Sequence, residues 1–310
     1  MYPIKIGTRT SPLALWQAHW VAARLQAAGF ETEIVGFQTS GDKIQSVTLS
    51  KVGSKGIFTQ ELEEALLDGR IHIAVHSAKD MPSHLPDGLE LIAYTEREIS
   101  ADVVVSFDAD FRLEHDTVAR IGTSSTRRKA LLARYYPHCQ PLEARGNLQT
   151  RLRKLEEGQF DALILAYAGV HRIGRGDLIR QHLPLDPFTP PVGQGSLAIE
   201  VCTGLEVSMQ EAIRKALNHA DTETCLLAER AYLHEMNGGC SIPTFALAHL
   251  VEGGVYLQAG IISLDGKYEI RLAAESNEPD KLGAKLAYLV LEAGGRDILE
   301  DIRGTGIVNT

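Results

Sequence analysis

The spacing of hydrophobic residues along the chain predicts alternating short strands and amphipathic helices. Residues 4–8 and 30–37 are predicted as strands, and Ser11 and Pro12 mark the start of a helix between them. Ser caps helix N-termini and Pro suits the first helical position. The same pattern predicts helices over 58–67, 148–155 and 206–217, and strands over 71–75, 161–166 and 197–201. This alternation is typical of α/β domains.

The apolar run 71–75 ends in a polar group formed by His76, Ser77, Lys79 and Asp80. Near-continuous apolar residues predict a strand that is covered on both faces, as in parallel sheets. Ligands of open α/β sheets bind at the carboxyl ends of the strands. We therefore expect part of an active site here, with an ordinary surface Lys-Asp pair as the alternative.

Two parts of the chain repeat the same order of elements. Residues 119–126 echo residues 4–11, since each is a strand that turns at Gly-Thr into a helix, and residues 148–166 echo residues 58–75. Two similar, doubly wound α/β domains around a cleft are the simplest account of this repeat. One larger sheet is the alternative, because short repeats also arise by chance among βα units.

The pattern changes after residue 218, where a helix, a Gly-rich loop, three hairpin strands and a last helix indicate a smaller α+β domain. These elements are predicted over 222–236, 237–243, 245–250, 255–264, 268–274 and 280–293. The predicted domains are residues 1–97 with 197–216, residues 102–192, and residues 218–310, with crossing segments near 96–102 and 188–195.

Composition narrows the class of protein. A chain of 310 residues with 44% hydrophobic and 23% charged residues is typical of a soluble protein, and no apolar run is long enough for a membrane helix. The net charge of -9 argues against nucleic-acid binding. The 4 cysteines show no CxxC spacing, so neither a zinc site nor a disulfide framework is indicated. With no targeting signal at the N-terminus, we expect a cytoplasmic location.

Arginines recur at matching strand ends of the two predicted domains. They are Arg9, Arg127, Arg128, Arg145, Arg151 and Arg172. Guanidinium forks and helix N-termini together bind carboxylates and phosphates. On an acidic protein this pattern predicts a small polyanionic ligand, although a solvated surface position is the better interpretation of most single arginines.

Two residues are candidates for chemistry. Asp80 is a carboxylate beside Lys79 that faces the predicted cationic cleft, which suits acid-base or electrostatic work. Cys240 follows Gly238 and Gly239 on a tight loop, where a thiol is accessible to covalent chemistry. His76 has no partner at metal-ligand spacing, and we predict no metal site.

Several motifs together resemble the porphobilinogen deaminase family, and the match spans nearly the whole chain. They are Gly7-Thr-Arg-Thr-Ser-Pro-Leu-Ala-Leu, Lys55-Gly-Ile-Phe-Thr-Gln-Glu-Leu-Glu, His76-Ser-Ala-Lys-Asp-Met-Pro, Ile121-Gly-Thr-Ser-Ser, Arg127-Arg128, Arg145-Gly-Asn, Val192-Gly-Gln-Gly and Gly238-Gly-Cys. Each motif alone is modest evidence, but their number and order are highly specific.

The resemblance implies two domains similar to type II solute-binding domains and a third that presents a cofactor loop. It implies a monomeric enzyme that condenses four porphobilinogen molecules head to tail into hydroxymethylbilane and releases ammonia. The product would pass to uroporphyrinogen III synthase. A dipyrromethane cofactor would be held by a thioether to the loop cysteine, which is Cys240 here.

The resemblance also assigns roles to individual residues. Asp80 would stabilise the cationic methylene-pyrrolenine left by loss of ammonia, and would help to move protons. The family's substrate- and cofactor-binding positions match Arg9, Ser11, Lys55, Phe58, Ser77, Lys79, Thr123, Ser124, Ser125, Arg127, Arg128, Arg145, Gly146, Arg151, Arg172 and Gln194.

The chain departs from the family pattern at a few positions. Ser46 stands where an acidic residue is expected, Thr126 replaces a common Leu, and Ser241-Ile242 follows the cysteine where Gln and an apolar residue are usual. The main alternative function is a non-catalytic solute-binding or effector-sensing module, and a nucleic-acid binder is a distant third.

Overall fold

Three β-sheets with covering helices make up the structure, a computed structural model that describes residues 3–39, 59–115, 118–239 and 242–304. The strands are β1 (Ile4–Arg9), β2 (Thr32–Phe37), β3 (Ile73–Ser77), β4 (Leu89–Tyr94), β5 (Asp102–Val105), β6 (Arg120–Gly122), β7 (Gln140–Leu142), β8 (Ala162–Ala166), β9 (Ile179–His182), β10 (Leu197–Cys202), β11 (Thr244–Val251), β12 (Gly254–Ile262) and β13 (Glu269–Ser276). The helices are α1 (Pro12–Ala27), α2 (Gln60–Leu67), α3 (Thr126–Tyr135), α4 (Leu148–Glu156), α5 (Tyr167–Arg172), α6 (Val207–Leu217), α7 (Ala220–Glu235), α8 (Pro279–Val290) and α9 (Arg296–Gly304).

The first two sheets have the same design. The first has the order β2-β1-β3-β10-β4 and the second the order β7-β6-β8-β5-β9. In each sheet the first three strands in the order pair in parallel, the fourth is antiparallel to both of its neighbours, and the fifth therefore runs in the same direction as the first three. That antiparallel strand, β10 or β5, is the one that enters the sheet from a crossing segment. The two sheets thus repeat one topology.

Local sequence accounts for the first βα unit. Ser11 caps α1 by accepting a hydrogen bond from the Ala14 N–H, and Pro12 is the first helical residue, as the sequence predicts. Val21 and Leu25 of this helix are fully buried with Ile6 and Ile73 of the sheet. Burial of this apolar face is the main source of stability for the helix.

The third sheet, β11-β12-β13, is antiparallel and packs against α7 and α8. The two helices lie close together at Gly283, where a Cβ atom would clash with the backbone carbonyl of Ala228. Beyond α8 the chain turns over 291–295, where Gly294 has a φ of 111°, and continues as α9. A glycine is favoured there because other residues rarely adopt a positive φ.

The chain passes from the first sheet to the second through residues 95–101 and returns through residues 183–196. A buried ion pair ties both passages to the C-terminal part of the chain. Arg97 donates two hydrogen bonds of 2.6 and 2.8 Å to Glu229 of α7, which also accepts from the backbone N–H groups of Gly193 and Ala248. Glu229 is fully buried, and its hydrogen bonds join α7 to both crossing segments and to β11.

The observed architecture confirms the predicted fold class, a mixed α/β protein with two sheet-containing domains and a smaller C-terminal one, and the alternative of one larger sheet is wrong. The return of the strand near 197–201 to the first sheet is also confirmed. The sequence pattern missed β4, β5, β7, β9, α5 and α9, most of which are too short to show a clear periodicity. None of the described helices is long and apolar enough to cross a membrane. The domain boundaries stay a prediction.

We expect Glu229→Ala to lower the free energy of unfolding by about 3–5 kcal/mol, because it leaves the Arg97 charge buried and unpaired. Glu292→Ala is the matched control, since its pair with Arg296 spans 3.2 Å between side chains that are more than half exposed. That change should cost less than about 1 kcal/mol. Urea denaturation of both variants measures the difference, and equal losses would contradict the role given to Glu229.

Candidate active site

A pocket of about 70 Å³ lies at the carboxyl ends of β1 and β3. Its lining includes four residues predicted from the sequence, Arg9, Ser11, Ser77 and Asp80. Asp80 belongs to a short 3-10 turn over Ala78–Asp80 that follows β3 directly, and its side chain is exposed. The end of a parallel strand therefore delivers a carboxylate to the pocket, as the position of ligand sites in open α/β sheets suggests.

Gln17 of α1 orients one wall of this pocket. It is buried, and its side-chain amide donates a hydrogen bond of 2.9 Å to the Ser77 hydroxyl. Sequence reasoning missed Gln17, although a polar residue on the buried face of an amphipathic helix is a signal that it has a specific partner.

The second sheet contributes a buried cationic cluster. Arg127 and Arg128 in the first turn of α3 donate hydrogen bonds of 2.6 and 2.7 Å to the two carboxylate oxygens of Asp102. Burial alone would raise the pKa of Asp102, but the two guanidinium groups hold it well below its usual range. Two arginines share one carboxylate, so the cluster keeps a net positive charge.

Lys79 connects the first sheet to this cluster. Its ammonium donates to the Gln194 side chain over 3.3 Å, and the amide of Gln194 donates in turn to Asp102 over 3.0 Å and to the Ser100 carbonyl. Burial is the main cause that lowers the pKa of Lys79 to about 8, while the nearby Asp80 carboxylate acts in the opposite direction. Residues from both sheets and from both crossing segments thus meet at one place.

Arg151 of α4 adds a further charge to the same region. Burial lowers its pKa to about 10, with the charge of Arg128 acting in the same direction and that of Asp80 in the opposite one. Its Nε donates to the carbonyl oxygen of Gly146, whose φ of 102° places it in the conformation that favours glycine. The charges of Arg128 and Asp80 therefore lie close enough to Arg151 to influence its pKa.

Two donors of this site lack protein partners. Among the described residues, Nε of Arg128 and the hydroxyl of Ser124 are buried without a hydrogen bond. Buried donors normally have partners, and the exceptions call for an explanation. A carboxylate would satisfy both kinds of donor, and the surrounding positive charge favours it. The site is therefore suited to bind carboxylate groups.

The remaining predicted residues have identifiable positions. Thr123 accepts a hydrogen bond from the N–H of Ser125, which itself caps α3. Arg145 lies 3.4 Å from Glu143, and Arg172 donates to the Gly195 carbonyl over 2.7 Å with its guanidinium 5.7 Å from the ring centre of Trp16. The last contact joins α5 of the second sheet to α1 of the first.

Some predicted positions lie outside the described residues. They are Lys55, Phe58 and Cys240 among the proposed site residues, and Ser46 and Ser241 among the departures from the family pattern. Thr126, the third departure, is the first residue of α3. Among the described residues, no group of three or more His, Cys, Asp or Glu side chains could hold a metal ion.

Asp102 was the most consequential residue that sequence reasoning failed to single out. The sequence pattern places Asp102 in a charged segment that crosses between the predicted domains. In the structure it is the first residue of a fully buried strand and pairs with two arginines. The apolar run of three valines that follows it was the available signal, because an acid at the start of a buried strand needs a cationic partner.

Fold and site together define a two-lobed α/β protein with a cationic site, suited to carboxylates, where residues of its first two sheets meet. A family model described as "Porphobilinogen deaminase, dipyromethane cofactor binding domain" matches residues 4–210, and one described as "Porphobilinogen deaminase, C-terminal domain" matches residues 223–292. The chain belongs to the porphobilinogen deaminase family, which confirms the assignment made from its motifs.

Relatives named porphobilinogen deaminase match almost end to end. The protein from Desulfosudis oleivorans is 50% identical over 97% of this chain and 98% of its own length. The protein from Cytophaga hutchinsonii is 51% identical over 97% of each chain. The protein from Carboxydothermus hydrogenoformans is 45% identical over 96% of each chain.

Solved structures give a more distant likeness. The BvgS VFT2 domain of Bordetella pertussis aligns with a TM-score of 0.44 at 17% identity, covering 71% of this chain and 88% of that one. An arginine-specific periplasmic binding protein of Salmonella typhimurium aligns with a TM-score of 0.39 at 13% identity, covering 70% and 92%.

We expect the Lys79 amine to titrate near pH 8, so that it is an ammonium below this pH and neutral above it. An NMR titration of protein labelled at the lysine side chains measures this, with the Lys79 signal assigned by its loss in Lys79→Arg. In Asp80→Asn the pKa should fall further, because the carboxylate that favours the charged form is gone. A titration near 10.5, the ordinary lysine value, would contradict the burial argument.

Proposed function

We propose that this chain condenses four porphobilinogen molecules, head to tail, into the linear tetrapyrrole hydroxymethylbilane and releases ammonia, as a transferase of heme and porphyrin biosynthesis. Membership of the porphobilinogen deaminase family over nearly the full chain is the observation that carries this proposal. The same evidence weighs against a non-catalytic solute-binding module and against a nucleic-acid binder.

The chemistry of the site supports the proposal. Each porphobilinogen carries an acetate and a propionate, so that every added ring brings two negative charges. Arg128 and Arg151 supply cationic donors within the cluster, and Lys79 supplies an ammonium opposite them. Binding therefore relies on charge-assisted hydrogen bonds, which are shorter and stronger than neutral ones.

Asp80 is proposed to act on the reacting pyrrole. Loss of ammonia from the aminomethyl group leaves a cationic methylene-pyrrolenine, and a carboxylate next to the pyrrole N–H stabilises that charge. Asp80 is suited to this role because it lines the pocket together with Arg9 and has Lys79 beside it. Its exposure leaves both carboxylate oxygens accessible to a ligand.

The donors of the site also fit the dipyrromethane cofactor that the family implies. Two linked pyrroles carry four carboxylates, and the unpartnered Nε of Arg128 and hydroxyl of Ser124 are donors of the required kind. Ser125, Arg127, Arg145 and Gly146 complete the set proposed to hold it, with the thioether at Cys240. When bound, the cofactor supplies the primer to which the first substrate ring is joined.

The remaining cleft residues are proposed to hold the growing chain. They are Arg9, Ser11, Lys55, Phe58, Ser77, Thr123, Arg172 and Gln194. The enzyme is proposed to act as a cytoplasmic monomer and to pass its product to uroporphyrinogen III synthase.

Intact-protein mass spectrometry tests the cofactor. We expect the purified protein to exceed its sequence mass by two pyrrole units, and Cys240→Ser to carry no such adduct. Cys202→Ser is the control and should keep it, because this residue lies on β10 in the first sheet. An unmodified wild-type protein with full activity would rule out the covalent cofactor.

Asp80→Asn should leave folding and the adduct intact while lowering the rate of hydroxymethylbilane formation by about 10²–10⁴-fold. The amide keeps the shape of the side chain but loses the negative charge. Asp87→Asn, an exposed aspartate a few residues further on, is the matched control and should keep the wild-type rate. A near-normal rate for Asp80→Asn would remove this residue from the mechanism.

A further inference from the structure

A buried imidazole-carboxylate pair lies at the wall of the pocket. Nε2 of His76 is 3.0 Å from Oε2 of Glu200, and the two residues are 6% and 0% exposed. His76 is on β3 and Glu200 on the neighbouring antiparallel strand β10, so the pair bridges the centre of the first sheet. His76 also lines the pocket that contains Asp80.

The hydrogen bond to Glu200 defines the ring's chemistry. A carboxylate accepts, so Nε2 carries the proton and Nδ1 keeps its lone pair. Among the described residues Nδ1 has no hydrogen-bond partner. An imidazole oriented by a buried carboxylate, with its other nitrogen free, is the arrangement of a general base.

The surroundings of the pair can accommodate a positive charge on the ring. Glu200 Oε1 and Glu63 Oε1 of α2 are both buried without hydrogen-bond partners among the described residues. Burial is the main cause that raises the pKa of Glu63, and the charge of Glu200 acts in the same direction, whereas a hydrogen bond with Thr59 and the charge of His76 lower it. Arg9 and Asp80 are the other charged residues of the pocket lining.

A purely structural role does not account well for this cluster. Strands β3 and β10 are otherwise apolar at the centre of the sheet. Burying two or three ionisable groups there costs more than burying apolar side chains of the same size. The carboxylate oxygens of Glu200 and Glu63 that lack hydrogen-bond partners therefore destabilise the fold and add nothing to its packing.

We propose that His76 is the general base that removes the pyrrole α-carbon proton in each condensation, with Glu200 as its positioning residue; this rests on the function proposed above. When the methylene carbon of one pyrrole bonds to the α-carbon of another, the α C–H bond breaks and its electron pair returns to the ring. The proton passes across a water molecule of the pocket to Nδ1 of His76. The pocket of about 70 Å³ has room for such a water.

The proton balance closes within one catalytic cycle. The imidazolium passes its proton to solvent, and the ammonia lost from the aminomethyl group takes one up, so each addition yields one ammonium ion. Asp80 keeps its negative charge throughout and stabilises the cation, while His76 removes the proton. A carboxylate that took up the proton would lose the charge that stabilises the cation. The two tasks are therefore divided between Asp80 and His76.

A deuterium isotope effect distinguishes this role from a structural one. Porphobilinogen carrying deuterium at its free α-carbon is compared with the ordinary substrate in rapid-quench measurements of the second and later additions, because the α C–H bond broken in the first addition belongs to the cofactor. We expect His76→Gln to slow each addition by about 10²-fold with a much smaller change in KM. Its isotope effect should rise from near unity to a primary value, because proton removal becomes rate-limiting.

Three further variants sharpen the test. Glu200→Gln should also raise the isotope effect, since it removes the charge that supports the imidazolium. Glu63→Gln should leave the isotope effect close to that of the wild type, because the carboxylate that is hydrogen-bonded to His76 is Glu200. His72→Gln is the control: this histidine stands just before β3, its Nδ1 accepts from the Lys5 N–H, and its change should leave the isotope effect unchanged.

NMR of imidazole-labelled protein gives a readout that is independent of turnover. The His76 signal, assigned by its loss in His76→Gln, should show the Nε2–H tautomer in the resting protein. A protonated Nδ1 on a neutral ring would overturn the proposal, as would a folded His76→Gln with an unchanged isotope effect. If His76→Gln does not fold, Glu200→Gln decides by the same criterion.

Failure of this proposal differs from failure of the proposed function. A wild-type protein that makes no hydroxymethylbilane from porphobilinogen would refute the function itself. Normal wild-type activity together with an unchanged isotope effect in His76→Gln and Glu200→Gln would refute the base assignment alone.

Discussion

The architecture depends most on the buried carboxylate of Asp102. It is the first residue of β5, the strand by which the chain enters the second sheet, and it is completely buried. A buried carboxylate is costly unless cations and hydrogen-bond donors surround it. Arg127, Arg128 and Gln194 provide them. The two arginines that neutralise the buried carboxylate of Asp102 thus also give the site its positive charge.

That single interaction links folding to function. Gln194 belongs to the returning passage between the sheets and also accepts a hydrogen bond from Lys79 at the end of β3. Any change in how the two sheets approach each other alters this chain of hydrogen bonds. The charges proposed to bind substrate carboxylates are therefore coupled to the relative position of the two halves. Arg97 and Glu229 extend this coupling to the C-terminal part of the chain.

The strands that follow the two crossing segments fix the positions of several residues of the site. Each of the first two sheets contains an antiparallel strand that enters from a crossing segment. The residues at both ends of these strands are fixed by sheet hydrogen bonds, which suits groups that must be held in place for catalysis. Glu200, on one of these strands, can only meet His76 because β10 returns to lie beside β3.

Much of this protein was determined by local sequence. Helix starts at Ser11 and Ser125, the buried strand before Asp80 and the repeat of βα units follow from capping, hydrophobic spacing and turn chemistry, and the family motifs identify the candidate site residues. The pairings Asp102 with Arg127, Glu229 with Arg97 and Glu200 with His76 could not be predicted in this way. Their members are separated by 25 to 132 positions. Periodicity reports only which face of an element is buried, whereas the partner of a buried charge is decided by which elements the tertiary fold brings together.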